Sequence, residues 1–459
     1  MKMIWRCWLV WLFVCFASCA SAPAAPAPAN SLAWHKDSNK VDADVSSWDV
    51  RQLLTRIAAE TGWRVYLDPN AVHKVSAKFK NLNSGDALRS LLGSLNFALV
   101  PEAHGPSRLY VFRTSRQQAT TLIAAHKPAE PIPNELVVTL KSHSKTKIED
   151  LARALNAKII GRIDGQNEYL LQFQDDAATQ LARTELANNP DVASVDVNFP
   201  VDAPPTAVAS DSSSPDLQLK PRSSEDNCQL VVGLIDTPVQ SLSGNLNSFL
   251  KPAIHVAGDV SASTALTHGT AMAETILDAL QAKTGGSTSV QILPVDVYGN
   301  SESTTTFDVA SGIVQAVNNG ANIINLSLGG TGDSQVLHNT IIQVSQQGIP
   351  IYAAAGNDPV TTPTYPAAYP EVISVTATDS SGNIASYANR GSFIDMTAPG
   401  DNVVPYDGQS YLVEGTSTAT AFVSGAAAGL ADSSHACADQ AESLLQSSLP
   451  KSSILKTAQ

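Results

Sequence analysis

The chain has 459 residues, room for two to four domains at about 150 residues each and for a substantial buried core. Its 43% apolar and 15% charged content, with 27 Gly and 26 Pro, excludes a largely disordered or collagen-like chain, and the net charge of -13 argues against a nucleic-acid binder. That charge is uneven: residues 201 to 459 carry seven basic and 23 acidic side chains, whereas residues 31 to 130 carry 13 basic and nine acidic ones, so pieces of different electrostatic character are joined.

Lys2 and Arg6 precede an apolar run from Cys7 to Phe16 and then small residues Ala17 to Ala20. This is the plan of a secretory signal over residues 1–20, and its apolar run is too short to span a bilayer. Two processing outcomes compete, cleavage after Ala20 or lipidation of Cys19, where Phe16-Ala17-Ser18-Cys19 resembles a bacterial lipobox with Phe16 in place of the usual aliphatic residue. The expected location is the bacterial periplasm or the outer membrane. The mature chain keeps Cys228 and Cys437, which in an oxidising compartment suit one disulfide, with two buried free thiols as the alternative. A Pro/Ala run makes residues 21–40 an extended spacer.

Residues 41–115 read as a first small α+β domain. Val50, Leu53, Leu54, Ile57 and Ala58 form one helix face ending at Gly62. Strands Trp63 to Leu67 and Val75 to Phe79 follow, then a helix with Ser84 as its N-cap and Leu88, Leu91, Leu92 and Leu95 as its stripe, then a closing hairpin of Phe97 to Val100 and Leu109 to Phe112. The string from "WDVRQLLTRIAAETGWRVYLDPN" to "RLYVF" resembles the short N-terminal domain of secretins and TonB-dependent receptors, and it implies a protein-binding module with an envelope protein as partner; a plain spacer is the competing reading.

Residues 134–200 give strand Leu136 to Leu140, a helix with Ile148, Leu151, Ala152 and Leu155, strands Lys158 to Ile163 and Tyr169 to Phe173, a helix through Leu181 and Leu186, and strand Val192 to Phe199. This βαββαβ order closes as a ferredoxin-like sandwich. "ELVVTLK", "YLLQF" and "NNPDVASVDVNF" resemble the inhibitory propeptide of subtilisin-like proteases, which implies an intramolecular partner whose tail lies in the active-site cleft. The Pro/Ser/Asp-rich stretch 201–227 reads as an exposed linker suited to a cut.

In residues 228–450, "QLVVGLID", "VQILPVDV", "ANIINLSLGG", "IPIYAAAGN" and "VISVTA" are continuous apolar runs of a parallel sheet buried on both faces. Helical stretches Ala271 to Ala282, Phe307 to Asn318 and Gln335 to Gln347 alternate with them, giving a doubly wound α/β domain with its site at the carboxyl ends of the strands. Asp236 and Asn357 end two runs, Asn325 lies within a third, His268 opens one helix, and Ser417 opens another so rich in small residues that it must be central and closely packed. Asp236, His268, Asn357 and Ser417, in "LIDT", "HGTAMA", "AAAGN" and "GTSTATAFVSGA", resemble the subtilase family of serine proteases.

That resemblance implies Ser417 as nucleophile, His268 as its base, Asp236 fixing the imidazole, and Asn357 with the Ser417 N–H as oxyanion donors. It implies that Leu326, Ser327, Leu328 and Gly329 bind the peptide upstream of the cut as an added strand, and that Ala353, Ala354 and Ala355 wall the primary pocket. Thr364 stands where the family often has glycine at the pocket base, so a preference for small or medium residues is expected. Pro238, Thr418 and Ala421 depart from the family pattern and remove no reacting group. No metal or cofactor is expected, and no D-x-[DN]-x-[DN]-G run speaks for a structural calcium. The resulting expectation is an exported serine endopeptidase made as a zymogen, acting on peptide or protein and self-processed near the linker. A dedicated envelope-processing protease and a catalytically silent binding scaffold are the alternatives.

Overall fold

The computed structural model describes residues 31–101, 106–123, 129–163, 165–205, 207–214, 217–223, 228–258, 260–261 and 263–455. The signal, Cys19 and the Pro/Ala run lie outside the described residues. The described chain divides into two compact units.

The first unit spans residues up to Thr61 together with Val72–Gly93. It is an antiparallel sheet in the order Ser31–His35, Lys40–Asp49, Lys74–Asn83, with helices Val50–Thr61 and Ser84–Leu92. Val50, Leu53, Leu54, Ile57 and Ala58 are all buried, as their spacing requires. Two expectations need correction. Residues 31–40 are strand and 3-10 turn rather than spacer, because Leu32 and Trp34 alternate into the interior. The cap of the second helix is Asn83, whose side chain accepts from Asp86 N, and Ser84 is already helical.

The second unit begins with a four-stranded sheet in the order Asn96–Val100, Arg108–Phe112, Arg64–Leu67, Thr121–Leu122. The expected hairpin is present, Phe97 lying opposite Val111. The βαββαβ unit follows with strands Glu135–Leu140, Lys158–Ile163, Glu168–Gln172 and Val192–Asp196 in the spatial order fourth, first, third, second, all antiparallel. Its helices are Ile148–Ala154 and Asp176–Ala187. Leu186 is buried while Leu181, in the same expected helix, is 70% exposed.

A seven-stranded parallel sheet carries the rest: β1 Val231–Asp236, β2 Ile254–His255, β3 Gln291–Asp296, β4 Ile323–Leu326, β5 Ile351–Ala354, β6 Ile373–Thr378 and β7 Met396–Pro399. The order is β2-β3-β1-β4-β5-β6-β7, so the chain reverses its direction of growth between β1 and β4. Helices α1 His268–Thr284, α2 Thr306–Asn318, α3 Gln335–Ser345 and α4 Thr416–Ser433 flank it. The small residues of α4 are explained by its crossing with α1: a Cβ on Gly425 would stand 2.5 Å from Ile276 O, and one on Gly429 2.9 Å from Lys283 Cβ. Cys228 and Cys437 are joined by a disulfide with a Cα–Cα distance of 5.1 Å, tying the chain before β1 to the segment after α4.

The stretch 201–227, read as an exposed linker, is largely exposed where described, but it does not run free of the α/β domain. Its described parts lie along the α/β domain: Pro200–Asp202 pairs with Ser303–Thr305, Val208–Ser210 with 410–412, and Lys220–Pro221 with Ser287–Thr288. Composition gave no sign of this, because backbone pairing is indifferent to Pro/Ser/Asp content wherever the paired N–H groups survive.

Candidate active site

Asp236 ends β1 beside β4, at the crevice where doubly wound sheets hold ligands. Its carboxylate is fully buried and accepts from His268 Nδ1 at 2.8 Å on Oδ1 and 3.0 Å on Oδ2. With Nδ1 donating, His268 Nε2 is the ring nitrogen left to act as acceptor. Oδ1 also accepts from Thr237 N at 2.7 Å. His268 is fixed from below by Gly269, whose N–H donates to Thr237 Oγ1 at 2.8 Å. A Cβ on Gly269 would stand 2.1 Å from Thr237 O, so only glycine lets α1 begin this close to β1.

Ser417 occupies the first turn of α4. Its Oγ donates to Ser327 O at 3.0 Å, and its own carbonyl accepts from Ser327 Oγ at 3.0 Å. Ser327 Oγ in turn accepts from Asn325 Nδ2 at 2.9 Å, and Asn325 Oδ1 accepts from Ser424 Oγ at 2.9 Å. This buried chain of hydrogen bonds locks α4 to β4 and gives Asn325, an unusual polar residue inside a core strand, its role. Asn357 follows β5. Its Oδ1 accepts from Thr416 N at 2.9 Å and Thr416 Oγ1 at 3.1 Å, which leaves Nδ2 as a donor at the mouth of α4.

His268, Ser417 and Asn357 line one cavity with Met272 and Thr418, and Pro205 and Ala207 line it as well. About 20 Å3 of space remains in it, roughly enough for one water. Thr364 Oγ1 donates to Ala355 O, so its hydroxyl is held by the backbone of the expected pocket wall, of which Ala353 is instead a core residue. The side chains of Leu326, Leu328 and Ala353 belong to the apolar core. Only the backbone of this segment is therefore available to a peptide. Among the described residues no group of three or more His, Cys, Asp or Glu is placed to hold a metal.

Two contributors were not foreseen, and a third, the βαββαβ unit, was expected as an intramolecular partner. Asn389, fully buried, donates through Nδ2 to Ala355 O at 2.7 Å and accepts on Oδ1 from Asp358 N at 2.9 Å, clamping the loop that carries Asn357. Sequence cannot separate such an Asn from a turn residue. On the other side of that loop, the four-stranded sheet supplies Arg64 Nη1 and Tyr66 Oη to Asp358 Oδ1 at 2.8 and 3.1 Å, and Arg108 Nη1 to Asn357 O at 3.4 Å. The βαββαβ unit packs its sheet on α2, Val137, Ile163 and Leu170 joining the cluster around Phe307. Asp196 Oδ2 accepts from Val336 N at 3.1 Å at the start of α3, and Asn198 Oδ1 from Phe307 N at 3.1 Å at the start of α2, the ends where a helix has free N–H groups.

The profile of the subtilase family (Peptidase S8) matches residues 228–456, and that of the fervidolysin N-terminal prodomain matches residues 117–198. The chain is 37% identical over 180 residues to subtilisin Savinase of Lederbergia lenta, covering 38% of this chain and 67% of that protein, and 36% identical over 205 residues to subtilisin DY of Bacillus licheniformis, covering 43% and 74%. Against the alkaline protease of Shouchella clausii the match, 37% identical over 180 residues and 38% of this chain, spans only 47% of the relative. In fold it is similar to fervidolysin from Fervidobacterium pennivorans, a keratinolytic enzyme related to subtilisin, with a TM-score of 0.54 at 19% identity over 68% of this chain and 56% of that one. A buried Asp-His pair, a serine at a helix start and an asparagine opposite it thus sit on a fold and sequence of matching descent: the chain belongs to the subtilase family and carries a fervidolysin-type N-terminal prodomain.

Proposed function

We propose that the protein is an exported serine endopeptidase made as a zymogen. The observation that carries this is the buried Asp236–His268 hydrogen bond of 2.8 Å in a site whose cavity is lined by His268, Ser417 and Asn357. Ser417 Oγ leaves Ser327 O, gives its proton to His268 Nε2 and bonds to the substrate carbonyl carbon. The imidazolium so formed is stabilised by Asp236. The carbonyl oxygen becomes an oxyanion held by Asn357 Nδ2 and the Ser417 N–H, donors fixed before the reaction begins. The C–N bond then breaks, the leaving nitrogen takes the proton from His268, and water releases the acyl-enzyme by the same steps in reverse.

The peptide upstream of the cut lies between the backbone of Ser327–Gly329 and the strand 303–305, and Thr364 keeps the primary pocket suited to small or medium residues. The N-terminal domain, with its resemblance to the short domain of secretins and TonB-dependent receptors, serves as a binding module for an envelope protein, with the periplasm or outer membrane as its location and Cys19 as the lipid-anchor candidate. The four-stranded sheet of the second unit holds the Asn357 loop through Arg64, Tyr66 and Arg108, and a dedicated processing protease is the alternative to a general degradative one.

The test compares wild type with Ser417→Ala. Wild type is expected to react with a fluorophosphonate probe and to release fragments near the prodomain boundary, and Ser417→Ala to do neither. Full-length, unlabelled protein from both would refute the assignment.

A further inference from the structure

We propose that residues 200–205 are a plug which Ser417 cannot hydrolyse, so that the zymogen's own cleft is occupied by a segment shaped as substrate but blocked as one; this rests on the reading of Ser417 as nucleophile. The segment enters as a substrate would. Pro200–Asp202 runs antiparallel to Ser303–Thr305 with Val201 opposite Thr304, and Ala203 N continues the ladder by donating to Glu302 O at 2.8 Å. Val201 is 3% exposed, seated among Tyr298, Phe307 and Leu328, and Tyr298 Oη donates to Asp202 O at 3.2 Å. On the far side the chain is tied down again where Val208–Ser210 pairs with 410–412. Between these anchors the chain crosses the site, Pro205 and Ala207 lining the cavity of His268 and Ser417.

The described residues that cross it are Pro204 and Pro205, which Thr206 follows in sequence. Hydrolysis forms the Oγ–C bond, breaks C–N and returns the proton from His268 to the leaving nitrogen. In the bonds 203–204 and 204–205 that nitrogen is a proline's, with a ring carbon where the hydrogen would be, crowding the side that His268 has to reach. In the bonds 204–205 and 205–206 the residue on the acyl side is a proline with no N–H, so Ser327 O receives no donor from the peptide. That oxygen instead accepts the hydroxyl of Ser417 at 3.0 Å, and the nucleophile's proton is directed away from His268. A site built around a donor rejects a partner lacking it by a factor on the order of 10⁴. All three bonds between Ala203 and Thr206 are thereby protected, and the cut that matures the enzyme falls outside them.

The experiment uses the full-length chain as wild type, as Pro204→Ala/Pro205→Ala, and each with Ser417→Ala, followed by intact mass, N-terminal sequencing of fragments, fluorophosphonate labelling and casein hydrolysis. The expected result is a new N-terminus at residue 204, 205 or 206 in the double-alanine chain, formed at least about 100-fold faster than in wild type and absent when Ser417 is alanine. A wild-type fragment starting at 204, 205 or 206 overturns the plug. So does a double-alanine chain that labels and hydrolyses casein yet stays intact at those bonds. A double-alanine chain that neither labels nor hydrolyses casein removes the nucleophile assignment itself, and the plug falls with it.

Discussion

Glu168→Gln is expected to abolish a pH-dependent loosening of the prodomain. Along strand Glu168–Gln172, Glu168 and Leu170 point to one face and Tyr169 and Leu171 to the other. Leu171 packs with Leu186 inside the prodomain, whereas Leu170 packs with Phe307 of the peptidase domain. Glu168 therefore faces the docked enzyme, is 2% exposed, and among the described residues its Oε2 has no hydrogen-bond partner. Burial, and behind it the charge of Asp196, pushes its carboxyl from 4.5 up to about 7. Undocking returns it to water and its ordinary value. A carboxyl raised in the docked state contributes stability that is complete below pH 4.5 and is lost as pH climbs through 7. At ~1.4 kcal/mol per tenfold change the loss approaches about 3 kcal/mol, on the order of 100-fold in the docking equilibrium. Hydrogen exchange of full-length Ser417→Ala, normalised for intrinsic rates and read on peptides from 135 to 172 between pH 5 and 8.5, measures it. Protection should fall by that amount in the parent and stay level after Glu168→Gln. Parallel losses in both chains would show that Glu168 is not the titrating group and would refute the reasoning.

Asn357→Ala should leave the fold intact, since Thr416 loses one acceptor at the edge of the site, while fluorophosphonate labelling slows by a factor on the order of 10²; that magnitude comes from the corresponding donor of a subtilisin rather than from this structure. Asp358→Ala removes the shared acceptor of Arg64 and Tyr66. Because both ion-pair partners are nearly half exposed, the pair itself contributes at most about 1 kcal/mol, and most of the effect is the buried Tyr66 hydroxyl left without its acceptor. Faster hydrogen exchange in Arg64–Leu67 with unchanged protection of β4 and β5 is the expected pattern; equal loosening of both would place Asp358 in the peptidase core instead.

The parallel strands were legible in the sequence because a strand buried on both faces has to be an unbroken apolar run, and few other structures tolerate "VVGLID" or "ANIINLSLGG". The polar residues interrupting those runs were legible for the complementary reason: Asn325 in a core strand demands partners, which Ser327 and Ser424 provide. Short edge elements such as Ile254–His255 and Met396–Pro399 carry too little pattern to be read. The strand at residues 31–35 was lost because two buried positions beside a Pro/Ala run do not make a period. Asn389 and Asp358 were illegible in a different way, since their importance lies in what reaches them from 34 and 294 residues away along the chain.

The segment 201–210 shows where composition misleads most. Pro, Ser and Asp in a short stretch speak for solvent because such residues form no core of their own, yet a chain lying in another domain's cleft needs no core. It needs donors and acceptors at the right intervals and one apolar anchor, which Val201, Ala203 and Val208–Ser210 supply. The prolines between them have a consequence opposite to that of an exposed linker. In solvent they would leave a stretch open to proteolysis; across Ser417 they withhold the acyl-side N–H and crowd the leaving nitrogen that proteolysis requires. With Glu168 weakening the prodomain's grip as pH rises and the plug resisting hydrolysis, release of the cleft depends on undocking rather than on cutting the segment that fills it.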